Sequence, residues 1–321
     1  INKTRGNAME MINLQLQIFL LLAIGYWLGK SGFLSKKTTN QLSALVINLI
    51  LPASIVRSFQ IEMTAEILES TLFVLILSTV IQILTVFVSK FIWKQVKNPE
   101  KRLNLEYGTI ANNAGTLGMV VAEAAFGEVG LLYSSIYMIP VRIMMWTAGI
   151  ALYSHKKQTE QSRLKGLGKV LLHPCIIAIY IGIVLMLGSM AGFELPGFLQ
   201  KTLNSLANCN TAMVMLVIGT ILSEISPKDI ADKLAGIYSI FRLLVFPAAV
   251  FIILKLLPIP ALASNICIIE TAMPASVTMP MLAQKYGKDP QFASKMILIS
   301  TLLSLFTMPV WTWLFSLPQF S

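Results

Sequence analysis

Residues 107–127 constrain this chain more than any other segment, because they form an apolar stretch with a polar centre. The stretch is long enough to cross a bilayer, since a spanning helix needs about 20 residues. Its centre holds amides, a hydroxyl and glycines, namely Asn112, Asn113, Gly115, Thr116 and Gly118. Irregular backbone and unpaired amides are tolerated at that depth only where they are buried in protein or line a wet cavity. The stretch therefore predicts a broken helix beside a polar site.

A second interrupted stretch occupies residues 270–287, 160 positions further along. At this offset Phe126-Gly127 aligns with Tyr286-Gly287, and Gly118 aligns with Thr278. The polar and helix-breaking residues of the second centre are Pro274, Ser276, Thr278 and Pro280. Because the offset is almost half of the 321 residues, the pattern indicates two halves with one broken helix each, which is typical of secondary transporters. The alternative is two unrelated membrane helices with kinks.

The composition is that of a polytopic membrane protein. Apolar residues make up 55% of the chain, charged residues only 12%, and the mean hydropathy is +0.73. The net charge of +10 does not indicate nucleic-acid binding, because the basic residues lie in short loops between apolar segments. The three cysteines and two histidines lack metal-ligand spacing, and phosphate-binding or nucleophile motifs are missing. We therefore expect no cofactor, no metal site, no enzymatic activity and no ATP-driven pumping.

Ten apolar segments predict an all-α fold with ten membrane-spanning helices. Residues 1–10 are polar and are interpreted as an expression remnant without fixed structure. Residues 11–154 are predicted to form a first five-helix repeat, 155–169 a cytoplasmic linker, and 170–318 a second five-helix repeat. The predicted spans are 14–28, 42–59, 70–88, 107–126, 131–153, 170–190, 203–222, 236–257, 262–282 and 293–315. Since five is odd, the second repeat enters the membrane from the opposite face, and the repeats are inverted.

The basic residues predict the orientation of these spans. With both termini outside, the loops that fall in the cytoplasm carry most of the Lys and Arg residues, including Lys36, Lys97 and Lys165. The loops that fall outside carry few basic residues. Because cytoplasmic loops are enriched in Lys and Arg, we expect a multi-pass plasma membrane protein with both termini extracytoplasmic.

Four charged side chains are predicted to lie inside the membrane, where a charged form costs at least about 2.5–3.5 kcal/mol at mid-bilayer. Glu270 precedes the predicted break at Met273-Pro274 by one turn and is a candidate for binding a proton or small cation; the alternative is a structural carboxylate. Arg142 is either a functional residue, as a receptor for a carboxylate or as a gate, or a structural partner of Glu123. Arg242 is interpreted as a side chain that reaches the cytoplasmic interface. The candidate ion-coupling residues are therefore Glu270, Arg142 and Glu123.

Amides at similar depth in both halves extend the predicted site. Asn48 lies on the second span, and Asn208 and Asn210 lie on its counterpart in the second half. We interpret these side chains as facing the same cavity as the broken helices. The alternative is hydrogen bonding between helices, worth about 0.6 kcal/mol per bond.

The two interrupted stretches resemble the two conserved blocks of the auxin efflux carrier family, which includes plant PIN carriers and bacterial malate and malonate permeases. The first block corresponds to Asn113-Ala-Gly115-Thr-Leu-Gly118, Phe126-Gly127, Tyr137-x-x-Pro140 and Trp146-Thr-x-Gly149. The second corresponds to Glu270-x-x-x-Pro274, Tyr286-Gly287, Ala293-Ser294, Ser300-Thr301 and Pro309-Val-Trp311. The chain is most similar to the permease-like members. Family members usually have proline where this chain has Val120, and Gly115 and Gly118 are expected to supply the irregular backbone instead.

This resemblance implies a fold similar to that of the bile-acid sodium symporters, in which two broken helices cross at mid-membrane. It also implies a scaffold domain and a transport domain that each take helices from both repeats. The expected function is secondary transport of small organic anions, such as mono- or dicarboxylates and auxin-like acids, by alternating access. The alternative is a sodium-coupled organic anion symporter with Na⁺ near Asn113 and Glu270. An intramembrane enzyme or a structural scaffold fits the paired broken helices less well.

Neutral donors are expected to bind the anion, together with positive half-helix ends. The predicted substrate-binding residues are Asn112, Asn113, Gly115, Thr116, Gly118, Pro274, Ser276, Thr278, Pro280, Asn48, Asn208 and Asn210. The expected partners are the organic anion, the lipid bilayer and either H⁺ or Na⁺, without nucleic acid. A homodimer is compatible with the sequence, which leaves the oligomeric state open.

Overall fold

The computed structural model describes residues 2–61, 64–153, 168, 171–190, 192–223, 232–276 and 278–315. Over these residues the protein is an all-α membrane protein, and its β structure there is one isolated bridge. The predicted linker at 155–169 lies outside the described residues except for Gly168. The first helix begins at Asn2, and the assignment of residues 1–10 to an expression remnant stays a prediction.

The described part of the first half forms seven helices. They are α1 (Asn2–Lys30), α2 (Lys36–Leu45), α3 (Leu51–Ser58), α4 (Ala65–Trp93), α5 (Pro99–Ile110), α6 (Leu117–Met144) and α7 (Ile150–Tyr153). Single π-helical turns at Val46–Ile50 and Met145–Gly149 join α2 to α3 and α6 to α7. The helix α6 is kinked at Gly127, which has φ 67° and ψ −154°. Only a residue without a side chain adopts this conformation readily.

The described part of the second half forms eight helices. They are α8 (Pro174–Met190), α9 (Gly197–Asn208), α10 (Asn210–Ser223), α11 (Lys233–Ile240), α12 (Phe246–Lys255), α13 (Ala261–Thr271), α14 (Met279–Lys285) and α15 (Pro290–Phe315). A π-helical turn at Phe241–Val245 joins α11 to α12.

Several helices begin where a short polar side chain can cap them. Ser35 Oγ accepts the Thr38 N–H before α2, and Thr64 Oγ1 accepts the Ile67 N–H before α4. Asn98 Oδ1 accepts two backbone N–H groups at the start of α5, whose first residue is a proline. Such caps satisfy N–H groups that the helix itself leaves free, and they fix the residue at which each helix begins.

Helices occupy most of the described residues in the predicted spans, and the predicted spans 107–126 and 131–153 both contribute to one long helix, α6. Within the described residues, six helices are long and apolar enough to cross a membrane: Lys36–Ser58, Ala65–Trp93, Leu117–Tyr153, Gly197–Ser223, Lys233–Lys255 and Pro290–Phe315. Shorter apolar helices occur at Phe19–Lys30, Pro174–Ser189 and Ala261–Thr271. The two spans predicted to be broken are each divided, the first between α5 and α6 and the second between α13 and α14.

The helix α4 shows how these helices arrange their side chains. Between its charged ends its exposed residues are apolar, including Leu72, Ile76 and Phe87, whereas most of its buried residues are small or polar. The buried polar residues are Ser70, Ser78, Gln82, Thr85 and Ser89. Small residues let helices approach closely in a membrane, and the exposed apolar face suits lipid.

Helix packing divides the described helices into two groups. In the first group, α1 and α2 pack on α10, and α3 packs on α8 and α9. In the second group, α4 packs on α5, α6 and α13, while α11 and α14 pack on α15, and α12 packs on α13. The groups meet where α6 contacts α3 and α10 and where α1 contacts α15. Both helix breaks belong to the second group.

Candidate functional site

The first break replaces helix with extended backbone at two residues. After α5 ends, Ala111 has φ −111° and ψ 116°, and Asn112 has φ −115° and ψ 178°. A short 3₁₀ turn at Asn113–Gly115 follows, and Asn112 Oδ1 accepts the Ala114 N–H at 3.4 Å. The side chain of Asn112 thus competes with the helical bonding pattern, as asparagine does at caps and turns. The break predicted around Asn112 and Asn113 is therefore present.

The second break lies between Thr271 and Met279, the ends of the flanking helices. Pro274 lies at its centre, lacks an N–H group and disfavours a helical conformation at the residue before it. The Ala275 N–H donates instead to Ser300 Oγ on α15, at 3.1 Å. The second break is thus held by a side chain from a neighbouring helix.

The two breaks bind each other through their backbones. The Asn113 N–H donates to the Pro274 carbonyl at 2.8 Å, and the Ser276 N–H donates to the Ala111 carbonyl at 3.4 Å. Asn112 and Ala275 form an antiparallel bridge, which is the isolated bridge mentioned above. Backbone groups that neither helix satisfies are therefore satisfied across the contact, as the hydrocarbon interior requires.

Side chains also hold the carbonyl ends of both half helices. Arg242 donates to the Thr109 carbonyl at 3.0 Å and to the Met273 carbonyl at 3.2 Å, and it is 3% exposed. Gln82 donates to the Ile110 carbonyl at 2.6 Å. The expectation that Arg242 reaches the cytoplasmic interface is therefore wrong. Because carbonyl ends carry partial negative charge, a buried guanidinium has a favourable position between them.

Glu270 lies at the end of α13 and is fully buried. Its Oε1 accepts a hydrogen bond from Ser134 on α6, and its backbone carbonyl accepts one from the Asn112 amide. The carboxyl group lies against Gly118, where an added Cβ would be 2.9 Å from its Cδ. Within the described part of the chain, its Oε2 atom has no hydrogen-bond partner and no ion pair. A buried carboxyl oxygen without a partner has a vacancy for a proton or a cation.

Hydroxyl groups form a chain next to the second break. Ser276 Oγ lies 2.9 Å from Thr278 Oγ1, which lies 3.0 Å from the hydroxyl of Tyr107 on α5. Hydroxyls both donate and accept, so this chain can present a donor to an anion. The sequence analysis included Ser276 and Thr278 but missed Tyr107.

A cavity of about 740 Å³ reaches the breaks from one end of the helices. Asn113 from the first break and Pro280 from the start of α14 lie in its wall, with Thr301 beside them. The remaining wall has an apolar part, which includes Ile218, Leu222 and Leu298, and a polar part, which includes Asn40 and Gln291. Two basic residues, Lys36 and Lys295, line it as well. The cavity therefore joins polar donors and positive charge to an apolar wall.

Arg142 and Glu123 do not form the pair that the sequence analysis considered. Glu123 bonds to Arg57 at 2.7 Å and to the Asn210 amide at 2.8 Å. Arg142 donates to the ring of His173, 2.9 Å from Nε2, and its Nη2 atom would be 3.1 Å from a Cβ placed on Gly115. Arg142 is thus adjacent to the first break, whereas Glu123 belongs to a separate cluster.

The three outlying amides are not brought to the breaks. Asn48 is exposed and donates to the Ala44 carbonyl of its own helix at 2.7 Å. Asn208 accepts a bond from Arg57 at 2.6 Å, and Asn210 contacts Glu123. These amides do not line the cavity, and their role in substrate binding stays a prediction. Of the predicted substrate-binding residues, Asn113 and Pro280 line it.

Sequence reasoning missed Gln82, Ser134 and Arg57. A signal for Gln82 was available, since it lies 160 residues before Arg242 and is a polar residue in an apolar span. Ser134 could not be selected from the sequence, because serine is common on buried helix faces in membranes. The described residues bring together no group of three His, Cys, Asp or Glu side chains that could hold a metal ion.

Comparison with known proteins gives one family and several relatives. The family model described as "Membrane transport protein" matches residues 11–312. An uncharacterized transporter of Methanocaldococcus jannaschii is 26% identical over 307 residues, covering 92% of this chain and 96% of the relative. One from Methanothermobacter thermautotrophicus is 26% identical over 303 residues, with the same coverage. One from Escherichia coli is 22% identical over 307 residues, covering 92% and 95%. The resemblance to the auxin efflux carrier family is confirmed, whereas the similarity to the permease-like members stays a prediction.

Proposed function

The chain belongs to the membrane transport protein family, and we propose that it is a secondary active transporter of small organic anions that works by alternating access. It is a transporter rather than an enzyme. The observation that carries the proposal is the pair of bonded helix breaks at the end of a cavity lined by Asn113, Lys36 and Lys295. Transporter sites are typically formed by discontinuous helices near mid-membrane.

For the architecture, we propose two inverted five-helix repeats whose broken helices cross. All the described positive-φ residues are glycines, and they form two pairs at the repeat offset: Gly32 with Gly192, and Gly127 with Gly287. Gln82 and Arg242, which hold the half-helix ends, are also 160 residues apart. The first helix group would be the scaffold domain and the second the transport domain, each drawing on both repeats.

For the substrate, we propose a carboxylate that enters from the cavity and binds at the first break. The break opens into α6, whose N-terminal N–H groups and dipole favour negative charge. Donors beside it are the Asn113 amide and the hydroxyls of Thr116, Ser276 and Thr278. The lysines in the cavity wall would attract anions, and its apolar residues would accommodate the organic part of a mono- or dicarboxylate.

Uptake of labelled acids into proteoliposomes tests this function. We expect saturable uptake of at least one mono- or dicarboxylate, and a loss of about tenfold or more in Asn113→Ala, because a hydrogen bond to a charged group is worth about 1.5–3 kcal/mol. The backbone bond from Asn113 to Pro274 survives this change. Asn48→Ala is the matched control, since Asn48 lies outside the cavity wall. Folded protein that carries no organic anion would contradict the proposal.

A second candidate is a cation-coupled symporter of the same anions. The observation that favours it is the buried Oε2 atom of Glu270, which has no hydrogen-bond partner among the described residues. A proton on this carboxyl group, or Na⁺ bound between Glu270 and Asn113, would neutralise the negative charge of Glu270 during transport of the substrate. Glu270→Gln retains the shape without the titrating charge. If transport is coupled, uptake by the unmodified protein depends on a proton or sodium gradient and uptake by Glu270→Gln does not. If transport is uncoupled, uptake depends on neither gradient in both proteins.

The remaining proposals concern the setting of the protein. We propose a plasma membrane location with both termini extracytoplasmic, from the distribution of Lys and Arg. This orientation would open the cavity at Lys36 and Lys295 to the cytoplasm. A homodimer stays a proposal that analytical ultracentrifugation in detergent would test.

A further inference from the structure

A cluster of charged and amide side chains joins the two helix groups away from the breaks. Arg57 on α3 donates hydrogen bonds to Asn208 at 2.6 Å and to Glu123 at 2.7 Å, and its Nε atom forms a longer ion pair with Glu128 at 3.4 Å. The second oxygen of Glu123 accepts a bond from the Asn210 amide at 2.8 Å. We call these five residues the Arg57 cluster. The proposed transport reaction gives them no role.

The cluster connects helices that otherwise pack in different groups. Arg57, Asn208 and Asn210 lie on α3, α9 and α10 of the first group, whereas Glu123 and Glu128 lie on α6 of the second. Each bond of Arg57 to a carboxylate, and the bond of Asn210 to Glu123, therefore crosses the boundary between the groups. If the groups move relative to each other, these bonds must break.

The cluster lies at the opposite end of the helices from the cavity opening. Lys36 lines the cavity at the start of the continuous helix Lys36–Ser58, and Arg57 is at its other end. With a rise of 1.5 Å per residue, the two positions are separated by about 31 Å, which is the thickness of the hydrocarbon core. The cavity is thus open at one membrane face, and the Arg57 cluster is near the other.

A line of residues on α10 runs from the cluster to the cavity. Asn210, Val214 and Ile218 follow at intervals of four residues and so share one helix face. Asn210 is in the cluster, Ile218 lines the cavity, and Val214 between them is 1% exposed. Val214 is therefore the buried position on this face between the Arg57 cluster and the cavity.

We propose that the Arg57 cluster is a gate latch that holds the transporter closed at the face opposite the cavity. This inference rests on the proposed alternating access. The side chains of Arg57 and Glu123 are 15% and 11% exposed, so little water is available to replace their bonds while the latch is closed. Opening that face would admit water to both charges, and the latch therefore favours the cavity-open state without preventing exchange.

Cysteine reporters on α10 test the latch. Cys175, Cys209 and Cys267 are first replaced by Ala or Ser, and Val214→Cys and Ile218→Cys are then introduced separately. For each reporter, the rate at which a polar thiol reagent labels the purified protein is measured twice: once in protein that retains Arg57 and once in protein that carries Arg57→Gln. Loss of the charged bonds should raise labelling at position 214 about tenfold and lower it at position 218. General loosening of the fold would instead raise both rates.

Further variants separate a latch from a local packing effect. Glu123→Gln should shift both reporters in the same directions, and Arg57→Gln combined with Glu123→Gln should add little, because both changes break one interaction. Lys101→Gln is the matched control. It breaks an ion pair of 3.4 Å with Asp232, but both partners lie on the second helix group, at α5 and α11. Neither reporter should respond to it.

The outcomes are decisive for the latch and independent of the proposed substrate. Unchanged labelling at position 214 in both Arg57→Gln and Glu123→Gln overturns the latch, even if the protein carries organic anions normally. A rise at both reporters also overturns it. A reciprocal shift in protein that carries no organic anion supports the latch and instead refutes the proposed substrate class.

Discussion

At the scale of single residues, Gly115 and Gly118 are required because neighbouring side chains occupy the space that a Cβ atom would need. Gly115 and Gly118 were expected to supply unusual backbone angles, yet neither has positive φ. A Cβ at Gly115 would be 2.8 Å from Met138 Cε, and a Cβ at Gly118 would overlap the Glu270 carboxyl group. Glycine at these positions therefore makes room for neighbouring side chains, one of them the buried carboxyl.

Gly118→Ala should consequently displace the Glu270 carboxyl group. We expect a loss of about 1–3 kcal/mol in the free energy of unfolding, the usual effect of adding volume to a packed interior. The unfolding temperature of purified protein measures this loss. Gly236→Ala on α11 is the control, because its Cβ would have no neighbour within 4 Å and alanine favours helix. Equal effects of the two changes would contradict the packing argument.

The partners of the buried charges were beyond the reach of sequence reasoning. The sequence identified Glu270, Arg142 and Arg242 as costly residues, and all three are buried. It left Arg142 either as a functional residue or as a partner of Glu123, and the structure shows that Glu123 instead pairs with Arg57. It placed Arg242 at the interface, and that interpretation is wrong. Sequence spacing fixes the depth of a residue on a helix, but which side of the helix meets which neighbour depends on how the helices pack.

At the scale of elements, the two breaks were predictable because their composition conflicts with an apolar helix. Amides, glycines and prolines in the middle of residues 107–127 and 270–287 gave the correct positions. The register between the breaks, with Asn112 opposite Ala275, was not predictable. It depends on contacts such as that of Ser300, which lies on a third helix, 25 residues after Ala275.

Ser300→Ala should weaken the second break specifically. Ser300 is fully buried and accepts the Ala275 N–H, so its removal leaves a buried donor without a partner, at about 1–3 kcal/mol. Ser304→Ala is a close control, one turn further along α15 and 1% exposed, because its hydroxyl bonds to the Thr301 carbonyl of its own helix. Thermal unfolding should show a larger loss for Ser300→Ala, and similar losses would contradict the role of Ser300.

At the scale of the whole molecule, the sequence predicted an all-α membrane protein from hydropathy and segment length. It also indicated the repeat offset, which the paired glycines support. The contacts between the helix groups could not be predicted. The Arg57 cluster joins residues 66 and 151 positions apart along the chain, and no feature of the sequence was a reason to select Arg57. Assembly of distant segments, rather than any local pattern, creates this cluster.

The orientation of the whole molecule gives the last prediction. Glu194 between α8 and α9 and Lys97 after α4 are both exposed, and the distribution of basic residues places Glu194 outside and Lys97 in the cytoplasm. In protein without its native cysteines, Glu194→Cys should react with an impermeant thiol reagent in intact cells, whereas Lys97→Cys should react only after permeabilisation. Reaction of Lys97→Cys in intact cells would reverse the orientation. In that case the cavity lined by Lys36 and Lys295 would open to the outside, and the Arg57 cluster would close the cytoplasmic face.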